Sequence, residues 1–487
     1  MIFASKAFFL FLPIVLVLYH ALNRRTHKYL VLTLASWAFY AFASPQYLWV
    51  ILLLTLIDYV AGRMIDGART ERVRKTWLAV SIVSNLALLI AFKYTMFTYD
   101  NLTILGQELG FNVPSRAWKI ILPLGISFHT FQGISYTVDV YRRQIPAVRS
   151  FVDYALFVAF FPQLAAGPIV RAVEFLPQMV TPPTVSAQQV SDGLWLFATG
   201  LFKKLVIADS LDGLFVSPVF DHPANYDDAT HRWAAVAWAV QIYCDFSGYT
   251  DMALGIAKWF GFELPGNFRL PYLATNIADF WRRWHISLSS WLRDYLYFPM
   301  GGSRGGPLRT YFNLMTLFVL CGLWHGAAWN WLAYGVFNGL LMALHRAYDR
   351  SLAGIPWADA VRASFGWKVF AWAGSTFQFL VGLVLIRMVD WNGGLLMIRS
   401  LAGVDHGAES SAAPAAFVPQ IAGAPGLVVL LIGLGLMGHV LGLIQEWPWF
   451  RTVKVLEFVR SALAALAIAG ILVFGPGVGK TFIYIQF

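Results

Sequence analysis

Charge is scarce in this sequence: Asp, Glu, Lys and Arg make up only 13% of its 487 residues, about half the roughly 25% usual in soluble domains. A soluble fold this poor in charge would expose large apolar patches and aggregate. Cysteine is nearly absent. Cys244 and Cys321 both lie in apolar runs, with no CxxC or Cys/His spacing, so the pattern offers neither a disulfide framework nor a zinc site, and no metal is expected. The first apolar stretch, Phe8 to Leu22, lacks a basic n-region and a small-residue cleavage site, so it reads as a first membrane helix rather than a signal peptide. No internal repeat is visible, which argues against a transporter built from duplicated halves.

What the chain has in abundance is apolar surface: 58% of residues are hydrophobic, with 20 Trp and 20 Tyr. A bilayer accepts the first, and its two interfaces favour the second. The net charge of +10 fits cationic loops facing anionic headgroups, and no separate basic domain suggests a nucleic-acid partner. Apolar spans fall at 7–22, 29–43, 46–62, 76–96, 120–138, 151–169, 190–208, 232–256, 311–322, 325–345, 367–392, 426–446 and 457–474. At about 20 residues per crossing, this predicts an all-α integral membrane protein with about eleven full crossings and shorter buried elements. Basic clusters at Arg24, Arg25 and Lys28, at Arg63 to Lys75, and at Arg142, Arg143 and Arg149 are each separated by two spans. They therefore share one face, predicting cytoplasmic loops and an external N-terminus. The Ala/Pro/Gly/Ser-rich stretch 403–425 reads as an exposed loop. The whole of 1–487 reads as a single membrane domain.

The segment 258–346 carries the chemistry-bearing residues. From Ala278 onward, Trp281, Trp284, Leu288, Trp291 and Tyr295 recur at helical spacing, which predicts one basic amphipathic helix with His285 inside it. An ordinary lipid-surface helix gives the same pattern. Met300–Gly306 (MGGSRGG) would let the backbone approach a ligand and Arg304 meet a phosphate, or it is a flexible turn. It lacks the Lys-Ser/Thr ending of a phosphate-binding P-loop. His325, in GLWHG, sits at the predicted start of a span, where an ionisable group is a candidate general base or a hydrogen-bonded structural histidine. Asp245 and Ser247 would orient a histidine, line a polar tunnel or bond neighbouring helices. His129 would face a tunnel or serve packing. Phe161–Pro168, with two prolines and a glycine, predicts a break in its span and a re-entrant element.

Five stretches together resemble one family: Leu122–His129 (LPLGISFH), Asp245–Tyr249 (DFSGY), Phe280–Ser287 (FWRRWHIS), Tyr297–Gly302 (YFPMGG) and Gly322–Gly326 (GLWHG). The opening Met1–Phe3 and the ending Thr481–Phe487 (TFIYIQF) add to the likeness. The sequence is similar to the membrane-bound O-acyltransferase (MBOAT) family, most of all to its bacterial alginate O-acetyltransferase membrane subunits, and more distantly to the D-alanyl transferases of teichoic acid.

The resemblance implies an MBOAT-type ring of about eleven transmembrane helices, with re-entrant and interfacial helices around a central tunnel. It implies His325 as the signature catalytic histidine, His285 as the second, and Tyr484 of the 482–487 motif as an acyl relay, where an aromatic anchor is the alternative. Arg282, Arg283, Arg304 and Trp284 would hold the donor, acetyl-CoA or an acyl carrier protein thioester. The implied setting is a multi-pass protein of the bacterial inner membrane working with a periplasmic esterase-like acetyltransferase and polysaccharide synthesis and export proteins. The implied function is O-acetylation of a secreted or cell-surface polysaccharide such as alginate or cellulose. A D-alanyl, lipid or protein acyltransferase, a non-catalytic scaffold and a transporter are the alternatives.

Overall fold

The computed structural model describes residues 3–164, 166–181, 183–404, 425–446, 465 and 467–471. Helices dominate, and no strand occurs among the described residues. Among the described residues, three helices are long and apolar enough to cross a membrane by length and composition: Pro45–Gly67, Glu71–Lys93 and Phe365–Arg387, with mean hydropathies of 1.8, 1.7 and 1.9. Lys6–Ala21 and Gly426–Val440 are shorter apolar helices. Most of the span predicted at 457–474, the 403–425 loop beyond Val404 up to Ala424, and the 482–487 motif with Tyr484 lie outside the described residues.

The chain divides into two compact units. The first comprises Met1–Leu194 and Ala253–Pro265. Its helices start where capping groups stand. The Ser5 hydroxyl accepts from the Phe8 amide at the head of Lys6–Ala21, Thr70 caps Glu71–Lys93, and Ser150 caps Phe151–Ala159; each supplies an acceptor to an otherwise orphaned amide. The span predicted at 120–138 is helical only from Ile126, because Gly125 enters at φ 68°. The span predicted at 151–169 is also not continuous. It stops at Ala159 and resumes for the single turn Phe161–Leu164. The break is satisfied internally: the Phe161 amide donates to Ser36 Oγ at 3.1 Å and Gln163 Nε2 donates to the Phe157 carbonyl at 2.6 Å. A core of aromatic rings surrounds it, including Phe175 stacked on Phe262 at 4.9 Å. Buried Asp58 accepts from Ser81 Oγ at 2.6 Å and from Asn85 Nδ2 at 2.9 Å, tying Leu48–Gly67 to Glu71–Lys93 by the polar bonds that membrane helices use.

The second unit comprises Trp195–Met252 and the residues from Gly266 onward. The helix Ala187–Phe202 loosens into wide, π-helical turns at Lys203–Ala208. Its neighbour is the 32-residue helix Asp228–Trp259. A Cβ on Gly200 would lie 2.5 Å from the Gly248 carbonyl, and one on Gly248 would lie 2.6 Å from the Gly200 carbonyl, so the two backbones touch only because both positions are glycine. Beside this contact, Lys204 reaches Asp245 at 2.7 Å and Asp209 at 2.8 Å, and Lys203 reaches Asp251 at 2.6 Å. Gly306–His325 and Trp329–Ser351 then form a hairpin, followed by Pro356–Ala363, Phe365–Arg387, Trp391–Leu401 and Pro425–Glu446.

Candidate active site

The single amphipathic helix expected from Ala278 to Tyr295 is two helices meeting at an elbow. Ile277–Arg283 starts with the Asn276 side chain accepting from the Asp279 amide at 2.7 Å. His285 then takes a left-handed conformation, φ 45° and ψ 52°, before Ile286–Leu292 resumes. A non-glycine residue there is strained and is held only by its surroundings. Asn267, 1% exposed, supplies that hold. Its carbonyl accepts the Ile286 amide at 3.0 Å, its side-chain oxygen accepts from Ser287 Oγ at 2.6 Å, and its amide nitrogen donates to Thr250 Oγ1 at 3.3 Å. The tryptophan stripe does not lie on a lipid surface: Trp281, Trp284 and Trp291 are all buried.

His325 is the last residue of Gly306–His325, not the first of the following span. The turn at Gly326–Ala328 folds the chain back so that Trp331 stacks on the His325 ring at 5.2 Å and 22°. Gly326 makes this fit, since a Cβ there would sit 2.0 Å from Trp331 Cδ1. Trp324 stands edge-on to His325 at 4.8 Å. The elbow brings His285 to the same place, with ring centroids of His285 and His325 separated by 6.2 Å. Forty positions of sequence are thus closed by fold. His285 is fully buried, whereas His325 keeps 8% of its surface. Phe246 lies edge-on against His285 at 4.7 Å. From the DFSGY motif, then, Phe246 touches a site histidine, while Asp245 is paired with Lys204.

The residues expected to hold a donor divide. Arg282 is exposed, with one carboxylate, Asp279, 3.8 Å away. Arg283 is more committed, bonding Asp279 at 3.0 Å and the Arg269 carbonyl at 3.4 Å. Trp284 is stacked on Phe280 at 5.7 Å, inside the aromatic cluster. Arg304 stands exposed on the glycine-rich turn. That turn is pinned rather than loose: Asn313 Nδ2 donates to the Gly302 carbonyl at 2.9 Å, and Tyr297 and Ser303 share a hydroxyl bond at 2.9 Å. In the first unit, buried His129 bonds Thr55 Oγ1 at 3.1 Å, a helix-to-helix tie. Sequence reasoning missed Asn267, Phe246 and Trp331. It also missed His439, which stacks on Tyr272 at 4.9 Å and 10°. Two had a visible signal: Phe246 as part of the DFSGY stretch, and Trp331 as the aromatic that follows WHG by about a turn and a half. Among the described residues, no group of three or more His, Cys, Asp or Glu is placed to hold a metal.

The family model for MBOAT, membrane-bound O-acyltransferase family, matches residues 140–383. A relative from Azotobacter vinelandii named "Probable alginate O-acetylase AlgI" is 39% identical over 403 residues, covering 80% of this chain and 79% of the relative. The "Peptidoglycan O-acetyltransferase" of Helicobacter pylori is 35% identical over 401 residues, covering 77% and 73%. The "Teichoic acid D-alanyltransferase" of Bacillus subtilis is 28% identical over 277 residues, covering 54% and 67%.

Proposed function

The chain belongs to the membrane-bound O-acyltransferase family, and from that premise we propose that it moves an acetyl group from cytosolic acetyl-CoA across the bacterial inner membrane for O-acetylation of a secreted or cell-surface polysaccharide. The observation that carries this reading is the 6.2 Å approach of His285 to His325. The protein is a multi-pass membrane enzyme in this reading, with about eleven crossings around a tunnel that ends at the histidines.

A neutral imidazole at His325 accepts the proton of the attacking hydroxyl. The hydroxyl oxygen bonds the thioester carbonyl carbon, and the tetrahedral intermediate collapses with cleavage of the carbon–sulfur bond. The thiolate leaves and takes the proton back from the imidazolium. His285, held by Asn267 and Phe246, faces the developing oxyanion or the donor. Arg282, Arg283 and Arg304 supply cationic partners for the donor's phosphates, and Trp284, packed on Phe280, lies next to Arg282 and Arg283 at the elbow. Tyr484 is the proposed first acceptor. Its phenol, ordinarily near pKa 10, needs an adjacent base to attack. A periplasmic esterase-like acetyltransferase would then pass the acetyl group to the glycan. The names of the relatives from Azotobacter vinelandii and Helicobacter pylori support a cell-envelope glycan as the final acceptor.

The test offers radiolabelled acetyl-CoA to membranes containing the protein and its glycan machinery. Base-labile label should appear in polysaccharide. Label confined to lipid, or to protein with no dependence on glycan, would overturn the polysaccharide reading. Tyr484→Phe should abolish transfer with normal membrane insertion, and an active variant would remove the relay.

A further inference from the structure

A cavity of about 1070 Å³ lies along Trp329–Ser351 and Phe365–Arg387, at the end of the hairpin remote from His325. Its walls are of two kinds. Leu341, Leu344 and Phe370 make an apolar side, and the same two helices continue outward with exposed apolar residues, Leu340 at 49%, Leu344 at 65% and Phe370 at 68%. The other side is cationic: Arg282, Arg346, Arg350, Arg362 and Lys368 line the cavity, against one carboxylate, Asp349.

Part of this charge is already fixed in place. Arg362 lies 3.4 Å from Asp349 and stacks over the Tyr348 ring at 4.7 Å, and His345 lies 3.2 Å from the same carboxylate. Arg346 donates to Ser303 Oγ at 3.3 Å. Arg350 and Lys368 are exposed at the rim. The excess of positive charge is uncompensated within the cavity, and the apolar wall adjoins a helix with the length and composition of a membrane crossing.

We propose that this cavity binds the phosphate headgroup of an anionic membrane lipid, with the acyl chains lying on the apolar faces of Trp329–Ser351 and Phe365–Arg387. Basic pockets between membrane helices recognise such headgroups by charge, while the chains contribute apolar burial. Along the helix, Arg350 stands roughly 30 Å from the Trp329 turn beside His325, at 1.5 Å per residue. That is on the order of the whole hydrocarbon thickness of a bilayer, so the rim occupies one membrane face, where headgroups are. Apart from Arg282, which the donor reading also uses, none of these side chains is assigned to the thioester chemistry.

The full chain, purified in a neutral detergent, would be offered equimolar phosphatidylglycerol and phosphatidylcholine and read by native mass spectrometry. It should retain phosphatidylglycerol in preference. The combined Arg350→Gln and Lys368→Gln variant, both changes being at exposed positions, should lose about tenfold or more of that retention. Arg72→Gln, an exposed change in the first unit, should lose none. Coenzyme A and inorganic phosphate are added separately as competitors. Equal retention of the two lipids, undiminished retention by the double variant, or one-for-one displacement by coenzyme A, which would assign the cavity to the donor, each overturns the proposal.

Discussion

Gly326 has no side chain because the Trp331 indole occupies the space a Cβ would need, 2.0 Å away. Gly326→Ala must therefore push Trp331 off the His325 ring while leaving both histidines in the chain. The expected result is a fall in kcat with the protein still expressed and folded, its thermal midpoint lowered by the overpacking, and full activity in Gly326→Ala would show that the stacked indole does not position the base. Lys204 presents the opposite problem, since it is 5% exposed and stands between Asp209 and Asp245. Lys204→Met leaves two buried carboxylates without their ammonium, a loss of about 3–5 kcal/mol. A thermal melt in detergent should show it, with recovery when Asp209→Asn and Asp245→Asn are added; an unchanged melt would mean that the triad contributes nothing. Of these residues the sequence announces only some. His325 is conspicuous as an ionisable group among apolar neighbours. Lys204 is hidden inside a run, 190–208, that reads as one apolar span, because periodicity gives no sign of a partner 41 positions away at Asp245.

Helices were legible where each is a continuous apolar run. Gly306–His325 and Trp329–Ser351 fall close to the predicted spans 311–322 and 325–345, with the boundary moved by the turn at Gly326. The elbow at His285 was not legible, because a left-handed non-glycine residue has no signature of its own and depends on Asn267, 18 positions earlier. The helix Thr95–Glu108 shows a further tie of this kind. Its Asp100 carboxylate takes two bonds from the Arg116 guanidinium, at 2.6 and 2.9 Å, across the segment between them. This hydrogen bonding holds the Asp100 carboxyl below its ordinary range. A carboxylate with a depressed folded pKa stabilises above its unfolded value, about 3.9, and that support is lost as pH falls through the folded value. With the pH dependence of intrinsic amide exchange divided out, protection of residues 109–119 should therefore fall below about pH 4 in the parent chain, with a smaller pH-dependent change in Arg116→Gln. Equal acid sensitivity in both would remove the pair as the cause.

At the scale of the molecule, composition alone excluded a soluble fold, and the five motif stretches pointed to the family to which the chain belongs. The path of the chain across the bilayer was less legible. Several predicted spans are interrupted or shorter than a crossing, as at Ala159–Phe161 and at Gly125, since polar and broken segments buried in protein carry a weaker hydropathy signal. Single-cysteine labelling in a background without Cys244 and Cys321 reads the topology directly. Positions beside Arg24, Arg72 and Arg142 should react only from the cytoplasmic side, and labelling of any of the three from outside would reverse the orientation. The central claim is that His325, met by His285 at 6.2 Å, takes the proton that acyl transfer requires. Its most direct measurement is acetyl transfer from labelled acetyl-CoA in membranes carrying equal amounts of the parent chain or His325→Ala. The account predicts a loss of about 10²–10⁴-fold with the variant still folded, whereas transfer at the parent rate by His325→Ala would contradict it.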